Sequence, residues 1–193
     1  MSPPFTLKEN RVVGTNRTVF AILLAALAML GPFSIDTYMP SFPDIGRTFG
    51  ASAFELQFTI SAFLATFAIM SLFHGALADS FGRRPVILFN LVIFVVASAG
   101  CALAAAFNQL LWFRALQGLA GGAGLIVGRA MIRDSFAGDE AQRMMSTVTM
   151  IFGVAPAIAP IIGGWLQAWL GWRSVFAFLT AYAVLLLVFC WWR

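Results

Sequence analysis

The sequence predicts an all-α membrane protein that crosses the bilayer six times, and three observations lead to this prediction. Of the 193 residues, 61% are hydrophobic and only 10% are charged, whereas about a quarter of the residues of a soluble domain are charged. Pro, Gly and charged residues divide the chain into six apolar segments, each close to the roughly 20 residues that cross about 30 Å of hydrocarbon as a helix. The connections are too short for an extramembrane domain. This composition disfavours soluble enzymes and soluble nucleic-acid-binding proteins.

The six segments follow a short polar tail, residues 1–17. They span approximately residues 18–40, 53–78, 85–106, 109–131, 145–168 and 174–192. The longest connection is expected at the polar stretch from Arg133 to Arg143. Ala26-Leu27-Ala28 is a plausible signal-peptide cleavage triplet, but the apolar run continues to Met39, which favours an uncleaved first helix. We therefore expect two regions, a tail (1–17) and a six-helix transmembrane bundle (18–193).

Arginine and lysine residues predict the orientation of this bundle. They are concentrated in the tail, the second connection and the fourth connection, at Lys8, Arg11, Arg17, Arg83, Arg84, Arg133 and Arg143. The opposite side has only Arg47 and Arg173. Because positive residues are retained on the cytoplasmic side, both ends of the chain are expected in the cytoplasm, in agreement with an even number of crossings. Topology, and not a nucleic-acid partner, then explains the net charge of +4.

Two charged residues stand out inside the apolar segments, where a charge costs about 2.5 to 3.5 kcal/mol on insertion scales. Asp36 lies near the outer end of the first segment and Arg114 near the outer start of the fourth, which places both roughly 6 to 9 Å inside the same face of the membrane. We expect them to face one cavity, paired directly or linked through water or Gln117. A carboxylate that alternates between an arginine and a proton suits a proton-coupled carrier. A structural ion pair or a snorkelling arginine is the alternative.

Tyr38 and Gln57 are further candidates for this cavity. Tyr38 carries an aromatic face that can contact a cationic or aromatic substrate, and Gln57 lies near the outer start of the second segment. Neither residue has a spacing pattern that singles it out, so their assignment depends on the position of Asp36 and Arg114.

Glycine and proline are concentrated in the fourth and fifth segments. The fourth has small residues four apart, Gly118 and Gly122, a spacing that lets a neighbouring backbone approach closely in lipid. The fifth contains Gly153, Pro156, Pro160, Gly163 and Gly164. Packing is the default role of such residues, and the prolines also permit a kink or a close crossing.

Four motifs in order give the chain a family resemblance. The turn Gly75-Ala-Leu-Ala-Asp79-Ser-Phe-Gly82-Arg83-Arg84-Pro85 resembles the signature of the major facilitator superfamily between its second and third helices. Leu111 to Gly128, with Arg114, Gln117 and Gly118, resembles the fourth-helix motif, and Gly153 to Gly164 resembles the fifth-helix antiporter motif. Gly31-Pro32 through Asp36-Thr-Tyr38-Met-Pro40 is similar to the first helix of the Bcr/CflA drug-resistance subfamily, and Arg129 to Asp134 supports that assignment.

The resemblance implies a fold of twelve helices in two six-helix halves, each built from two inverted three-helix repeats, with this chain as the amino-terminal half. It implies proton-coupled export of drugs or small metabolites across the bacterial inner membrane, with the proton gradient as the energy source and no cofactor. It also implies a cytoplasmic gating cluster of Asp79, Arg83 and Asp134, and a role in proton coupling for Arg114. The glycines and prolines of the fifth segment are implied at the interface between halves.

A chain with only six of the twelve implied helices has two interpretations. A chain that ends as the sixth helix closes is either a fragment or truncated reading frame, which we favour, or a half that pairs with a second copy. The expected partners are the lipid bilayer, a small-molecule substrate and the carboxyl-terminal six-helix half or that second copy, with no nucleic acid. The alternative function is a half-size membrane protein without transport activity that acts by helix packing or as an assembly partner.

An intramembrane enzyme is disfavoured by the sequence. We find no His/Glu metal-binding spacing, no Gly-x-Ser-x-Gly elbow and no paired catalytic carboxylates. No metal site is therefore expected.

Overall fold

The computed structural model describes residues 17–192, which contain no β-strand. The eight helices in this range are α1 (Arg17–Asp36), α2 (Phe42–Phe49), α3 (Ala53–Phe81), α4 (Arg83–Leu103), α5 (Phe107–Gly121), α6 (Ala123–Ser135), α7 (Gly138–Leu170) and α8 (Arg173–Trp192). A short 3₁₀ turn, Met39–Ser41, joins α1 to α2. Residues 1–16, with the tail residues Lys8 and Arg11, and Arg193 lie outside the described residues.

Six helical stretches are long and apolar enough to cross a bilayer, which confirms the fold class predicted from the sequence. They are Thr18–Phe49, Ala53–Phe81, Arg83–Leu103, Phe107–Ser135, Gly138–Leu170 and Arg173–Trp192. The fourth stretch is interrupted at Gly122, where α5 ends and α6 begins.

The sequence predicted an irregular connection between residues 40 and 53, and this prediction is wrong. Most of that stretch is helical, as the 3₁₀ turn and α2. Pro40 and Pro43 lie in the first turns of these two elements, where the missing N–H has no helical partner to lose. Helix α2 ends at Phe49, and the next residue, Gly50, has a φ of 64°, the left-handed conformation that favours glycine.

The long polar connection expected from Arg133 to Arg143 is also wrong. Helix α6 continues to Ser135, and α7 begins at Gly138. Asp139 and Glu140 lie in the first turn of α7, where the positive end of the helix dipole favours acidic side chains. Polar residues are therefore a poor guide to where these helices stop.

The packing follows two inverted three-helix units. Helix α1 packs along α7, α3 packs along α5, and α4 packs along α8. If spans one to three are exchanged with spans four to six, the contact between α1 and α7 becomes the contact between α5 and α3. The contact between α4 and α8 is exchanged with itself. The turns before α4 and α8 repeat as well, since Gly82 has φ 94° and ψ 152° and Gly171 has φ 80° and ψ 169°. Each glycine lies one or two residues before an arginine that starts the next helix.

The helices differ in how deeply they are buried. Of the most apolar 18-residue stretch of each span, 56% is buried in α5–α6 and 44% in α4, but only 17% in α3 and in α7. The core lies between α1, α4, α6 and α8, where Leu24, Phe94, Val127 and Phe176 are fully or almost fully buried. Helices α3 and α7 therefore present their long apolar faces to the outside of the bundle.

At three glycines an added Cβ atom would overlap a backbone carbonyl of another segment. A Cβ atom at Gly118 would overlap the backbone carbonyl of Phe63 on α3, and one at Gly124 would overlap the carbonyl of Leu27 on α1. A Cβ atom at Gly163 would overlap the carbonyl of Thr37. Gly122 is less tightly packed, against Phe67 and Ser71.

Candidate functional site

The end of α1 is a polar corner within an apolar helix. The hydroxyls of Ser34 and Thr37 donate to the carbonyls four residues earlier, and Tyr38 N–H donates to the carbonyl of Ile35, three residues earlier. This last bond tightens the chain into a 3₁₀ turn. The carbonyl of Ser34 therefore loses the backbone donor that a continued α-helix would supply.

Arg114 of α5 supplies the donor that the Ser34 carbonyl lacks. Its side chain is fully buried, and its Nη1 donates to the carbonyl oxygen of Ser34 at 3.0 Å and to Gln117 Oε1 at 2.5 Å. Gln117 Nε2 in turn donates to Ser98 Oγ on α4 at 2.7 Å. One hydrogen-bonded chain thus joins α1, α5 and α4.

Two aromatic rings hold the same guanidinium. Its Cζ lies 4.7 Å from the ring centroid of Tyr38 and 4.6 Å from that of Phe63. The hydroxyl of Tyr38 is hydrogen-bonded to Thr59 Oγ1 at 2.9 Å, which fixes that ring against α3. A desolvated cation–π contact contributes about 2 kcal/mol, so the rings offset part of the several kcal/mol that burying the charge costs.

The guanidinium keeps unused hydrogen-bonding capacity. Arg114 Nε and Nη2 are buried and have no hydrogen-bond partner. Among residues 17–192 the structure records no ion pair between Arg114 and Asp36, so the direct pairing that was one of the sequence expectations is not found. Helix α1 ends at Asp36 itself, which leaves this carboxylate half-buried at the corner and separate from the fully buried guanidinium. The link through Gln117 also leads elsewhere, to Ser98.

Gln57, the remaining candidate for the cavity, is exposed on the first turns of α3. It takes no part in the hydrogen-bonded chain described above. An open pocket of about 590 Å³ lies between α1 and α7, and it is lined by none of the residues predicted for the cavity. Among residues 17–192, no group of three His, Cys, Asp or Glu side chains is placed to hold a metal ion.

A second arginine site lies where α3, α4 and α6 meet, and we refer to Asp79, Arg83 and Asp134 as the Arg83 cluster. Arg83 Nη1 lies 2.7 Å from Asp79 Oδ1, and Nη2 lies 3.0 Å from Asp134 Oδ2. The Nε atom also donates to Asp134 Oδ2, at 3.1 Å. The three residues that the motif implied as a charge cluster are therefore in contact. Gly82 supplies the turn with its positive φ, whereas a Cβ atom added at Gly75 would have no other atom within 4 Å.

Arg84, the next residue, contacts a different helix. Its Nε lies 3.4 Å from the carbonyl oxygen of Cys190, and its Nη2 lies 2.6 Å from that of Trp191, at the carboxyl end of α8. At the opposite end of the same helix pair, Arg173 Nη2 donates to the carbonyl of Ala104 at 3.1 Å, directly after α4.

The glycine and proline residues of α7 divide between two faces. Gly163 is buried against the corner at Thr37, whereas Gly153 and Gly164 have nothing within 4 Å of an added Cβ. Pro156 and Pro160 are exposed with Gly153 on the outer face, and α7 remains one helix through both prolines. Of the glycines of this motif, only Gly163 lies close to the backbone of another segment of the bundle.

Sequence reasoning did not identify several residues of the buried site. Phe63 is one of twenty phenylalanines, and no local pattern distinguishes it from those that face outward. Ser98 and the Ser34 carbonyl likewise have no signal in the sequence, because their roles depend on how α4 and α1 pack on α5. A buried contact between His74 Nε2 and Asn90 Oδ1, 3.1 Å long, joins α3 to α4 and was also not predicted.

The fold and these sites define a multi-pass membrane protein of the class that builds its bundle from inverted helix repeats. The model of the Major Facilitator Superfamily matches residues 18–193. The chain belongs to this superfamily of transporters and matches the amino-terminal half of its Bcr/CflA-type drug transporters.

Several relatives support this assignment. The chain is 38% identical over 177 residues to the MFS-type transporter YdgK of Bacillus subtilis strain 168, a match that covers 91% of the chain and 44% of that protein. It is 34% identical over 158 residues to a bicyclomycin resistance protein homolog of Haemophilus influenzae, and 30% identical over 158 residues to multidrug resistance protein D of Escherichia coli K12. Each of these two matches covers 82% of the chain and 40% of the relative. The chain thus spans less than half the length of these relatives.

Solved structures share the fold. A bacterial homolog of the human lysosomal transporter Spinster, in an inward-facing and occupied conformation, has a TM-score of 0.79 at 21% identity, over 92% of this chain and 44% of that one. The human organic anion transporter MFSD10 has a TM-score of 0.70 at 18% identity, over 91% of this chain and 47% of that one.

Proposed function

We propose that this chain supplies six helices of a drug/proton antiporter that exports drugs or small metabolites across the bacterial inner membrane. The names of the relatives, a bicyclomycin resistance protein homolog and a multidrug resistance protein, support drugs as the substrate class. The observation that carries the proposal is the state of Arg114, a fully buried cation whose Nε and Nη2 atoms have no hydrogen-bond partner.

The free donors of Arg114 suit a carboxylate that arrives and leaves. Asp36 follows Ser34, whose carbonyl Arg114 already binds, by two residues, and it is half-buried with no hydrogen bond or ion pair recorded among residues 17–192. In the proposed cycle, deprotonated Asp36 moves to Nε and Nη2 of Arg114. Uptake of a proton by the carboxylate removes its charge and releases it. Proton binding thereby biases the shape of the corner between α1 and α2.

We propose that the apolar faces of α3 and α7 bind a second six-helix half. These two helices are the least buried spans, at 17% each, and the chain covers 40% to 44% of the relatives named above. The exposed face of α7 carries Gly153, Pro156 and Pro160, which allow a close approach from outside. The alternative partner on these faces is a second copy of this chain, in place of a carboxyl-terminal half.

The Arg83 cluster has a gating role in this proposal. It joins the ends of α3 and α6 through the turn before α4, so it stabilises one of the two alternating states of the carrier. With both ends of the chain on the cytoplasmic side, the cluster faces the cytoplasm and the corner at Asp36 faces the periplasmic side.

The proposal is tested with the full-length protein that carries this segment, reconstituted in proteoliposomes. We expect an imposed pH gradient to drive drug efflux, and Asp36→Asn to abolish the dependence on that gradient because the side chain no longer binds and releases a proton. The matched control is Asp44→Asn, which makes the same chemical change on α2, where Asp44 contacts Arg47 and Gln167. Retained gradient-driven efflux in Asp36→Asn, at the level of Asp44→Asn, would contradict the coupling role.

A further inference from the structure

His74 is a titratable residue buried in the membrane-spanning part of α3, and the proposed transport cycle does not use it. It is the one histidine of this sequence, and it is fully buried. It lies seven residues before the end of α3 at Phe81, which is about 10 Å into the helix. An ionisable side chain is costly at such a position. Because a leucine would fill the space without that cost, packing alone does not account for a histidine here.

The partner of the imidazole fixes where its hydrogen lies. Asn90 Nδ2 donates to the carbonyl of Val86, four residues earlier on α4, at 2.8 Å, so Asn90 Oδ1 is the atom that faces the ring. Because this oxygen only accepts hydrogen bonds, its contact of 3.1 Å with His74 Nε2 requires a hydrogen on Nε2. The neutral ring is therefore the Nε2–H tautomer, and Nδ1 keeps its lone pair.

The Nδ1 atom of His74 is where a further proton would bind. Among residues 17–192 this atom is buried and has no hydrogen-bond partner. A proton there would add a positive charge and a second N–H group in a place where the structure provides no acceptor, which is costly in an apolar surrounding. The neutral ring thus fits the closed contact between α3 and α4, and the protonated ring does not.

No charged group within residues 17–192 is recorded in contact with the ring. Helix α3 packs against α2, α4, α5 and α6, but the polar contact recorded for His74 is with Asn90. At the end of the bundle where His74 lies, the charged groups of α3 and these helices are Asp79, Arg83, Arg84, Arg129, Arg133 and Asp134. The carboxylates among them are bound to Arg83. The titratable groups at the opposite end are Asp44, Arg47, Glu55, Cys101 and Arg114.

The contact of His74 with Asn90 joins the same two helices as the Arg83 cluster. Helix α3 carries His74 and Asp79, and α4 carries Asn90 and Arg83. The ion pair of Arg83 with Asp79 is largely exposed on the aspartate side, and exposed ion pairs hold weakly. Opening of the buried contact therefore leaves α3 and α4 poorly held at the cluster.

We propose that His74 is a second proton-binding site, separate from Asp36, and that its protonation releases α3 from α4 beside the Arg83 cluster. The proton comes from the side of the membrane that the cluster faces. The proposed function assigns this side to the cytoplasm, and the inference rests on it in this respect only. Acidification of the cytoplasm then weakens the state that the cluster stabilises.

Hydrogen–deuterium exchange of the full-length protein in lipid nanodiscs, without substrate or pH gradient, tests the proposal. It is measured at about pH 7.5 and about pH 5.5, which bracket the ordinary histidine pKa of about 6.5, and corrected for the pH dependence of intrinsic exchange. If only the open contact binds the proton, its population rises about tenfold between these values. We therefore expect exchange around His74 and Asn90 to speed about tenfold. His74→Gln, which can still donate to Asn90 but binds no proton, should exchange equally at both.

A second variant covers the case in which His74→Gln inserts poorly. Asn90→Asp gives the protonated ring a carboxylate partner that holds the contact closed, so the acceleration at low pH should disappear. Asp79→Asn is the control, because it removes a nearby carboxylate and should keep the tenfold ratio.

Three results would overturn the proposal. They are equal exchange of the wild type at the two pH values, a tenfold ratio that persists in His74→Gln or Asn90→Asp, and loss of the ratio in Asp79→Asn. Because no transport is measured, the efflux of Asp36→Asn in proteoliposomes tests the proposed function and not this site.

Discussion

Arg114 and Arg83 are two solutions to the problem of placing a guanidinium in a membrane protein. The side chain of Arg83 is 26% exposed and contacts two carboxylates, so its charge is neutralised where water also reaches it. Arg114 is 0% exposed and contacts a carbonyl, an amide and two aromatic rings, none of which carries a negative charge. The first arrangement stabilises a contact between helices. The second keeps a buried positive charge uncompensated, which is a costly state that suits a site for an exchangeable carboxylate.

The largest effect is expected from replacing Arg114, which should reduce transport much more than stability. We expect Arg114→Met to abolish gradient-driven efflux in the full-length protein, because the only fully buried cation of the described residues is gone. The free energy of unfolding should fall by no more than about 3 kcal/mol, because removing a desolvated charge offsets part of the cost of leaving the Ser34 carbonyl and Gln117 Oε1 without their donor. Thermal unfolding in detergent and proteoliposome efflux measure the two quantities. A Met variant that still transports would show that the charge serves structure alone.

A change at Gly118, one turn after Arg114, should have the next largest effect. A methyl group there meets the Phe63 carbonyl and the Thr66 hydroxyl, so Gly118→Ala should move α5 away from α3 and destabilise the protein by about 1 to 3 kcal/mol. The displaced Phe63 ring then leaves the guanidinium less well held. Gly153→Ala is the control, because nothing lies within 4 Å of the added atom. The melting temperatures of the two variants measure this difference. Equal melting temperatures would contradict the claim that the close approach of α5 to α3 at Gly118 stabilises the buried site.

The smallest effect is expected in the Arg83 cluster. Asp134→Asn leaves Arg83 paired with Asp79 and should cost at most about 1 kcal/mol, as for other exposed ion pairs. The loss should shrink at high salt because exposed charges are screened. Measuring unfolding at low and high salt tests this, and a salt-independent loss would indicate that the cluster behaves like the buried site.

The parts of the fold that depend on composition could be predicted from the sequence. Six apolar stretches were sufficient for the six spans, and the family resemblance implied that Asp79, Arg83 and Asp134 form one cluster. The contact between Arg114 and Gln117 follows from their spacing of one helical turn. Each of these features depends on local geometry or on a short recurring motif.

The remaining parts depend on how distant helices meet. Direct pairing of Asp36 with Arg114 was one of the arrangements that their matched depth allowed, but the structure records no such ion pair among residues 17–192, and the bond from Tyr38 N–H to the Ile35 carbonyl ends α1 at Asp36. Dividing the chain at proline predicts a connection where α2 lies, although Pro40 and Pro43 both fit the first turn of a helical element. The ring of Phe63 reaches Arg114 only because α3 and α5 cross closely at Gly118.

The outward faces of α3 and α7 have a consequence for synthesis of the protein in the cell. Their exposed residues at membrane depth, such as Leu64, Ile69, Met150 and Ile161, are apolar, and lipid tails are as apolar as leucine. Hydrocarbon therefore solvates these faces as they emerge from the insertion machinery. A bundle with this surface can fold in the bilayer during translation, before any second half arrives to cover it.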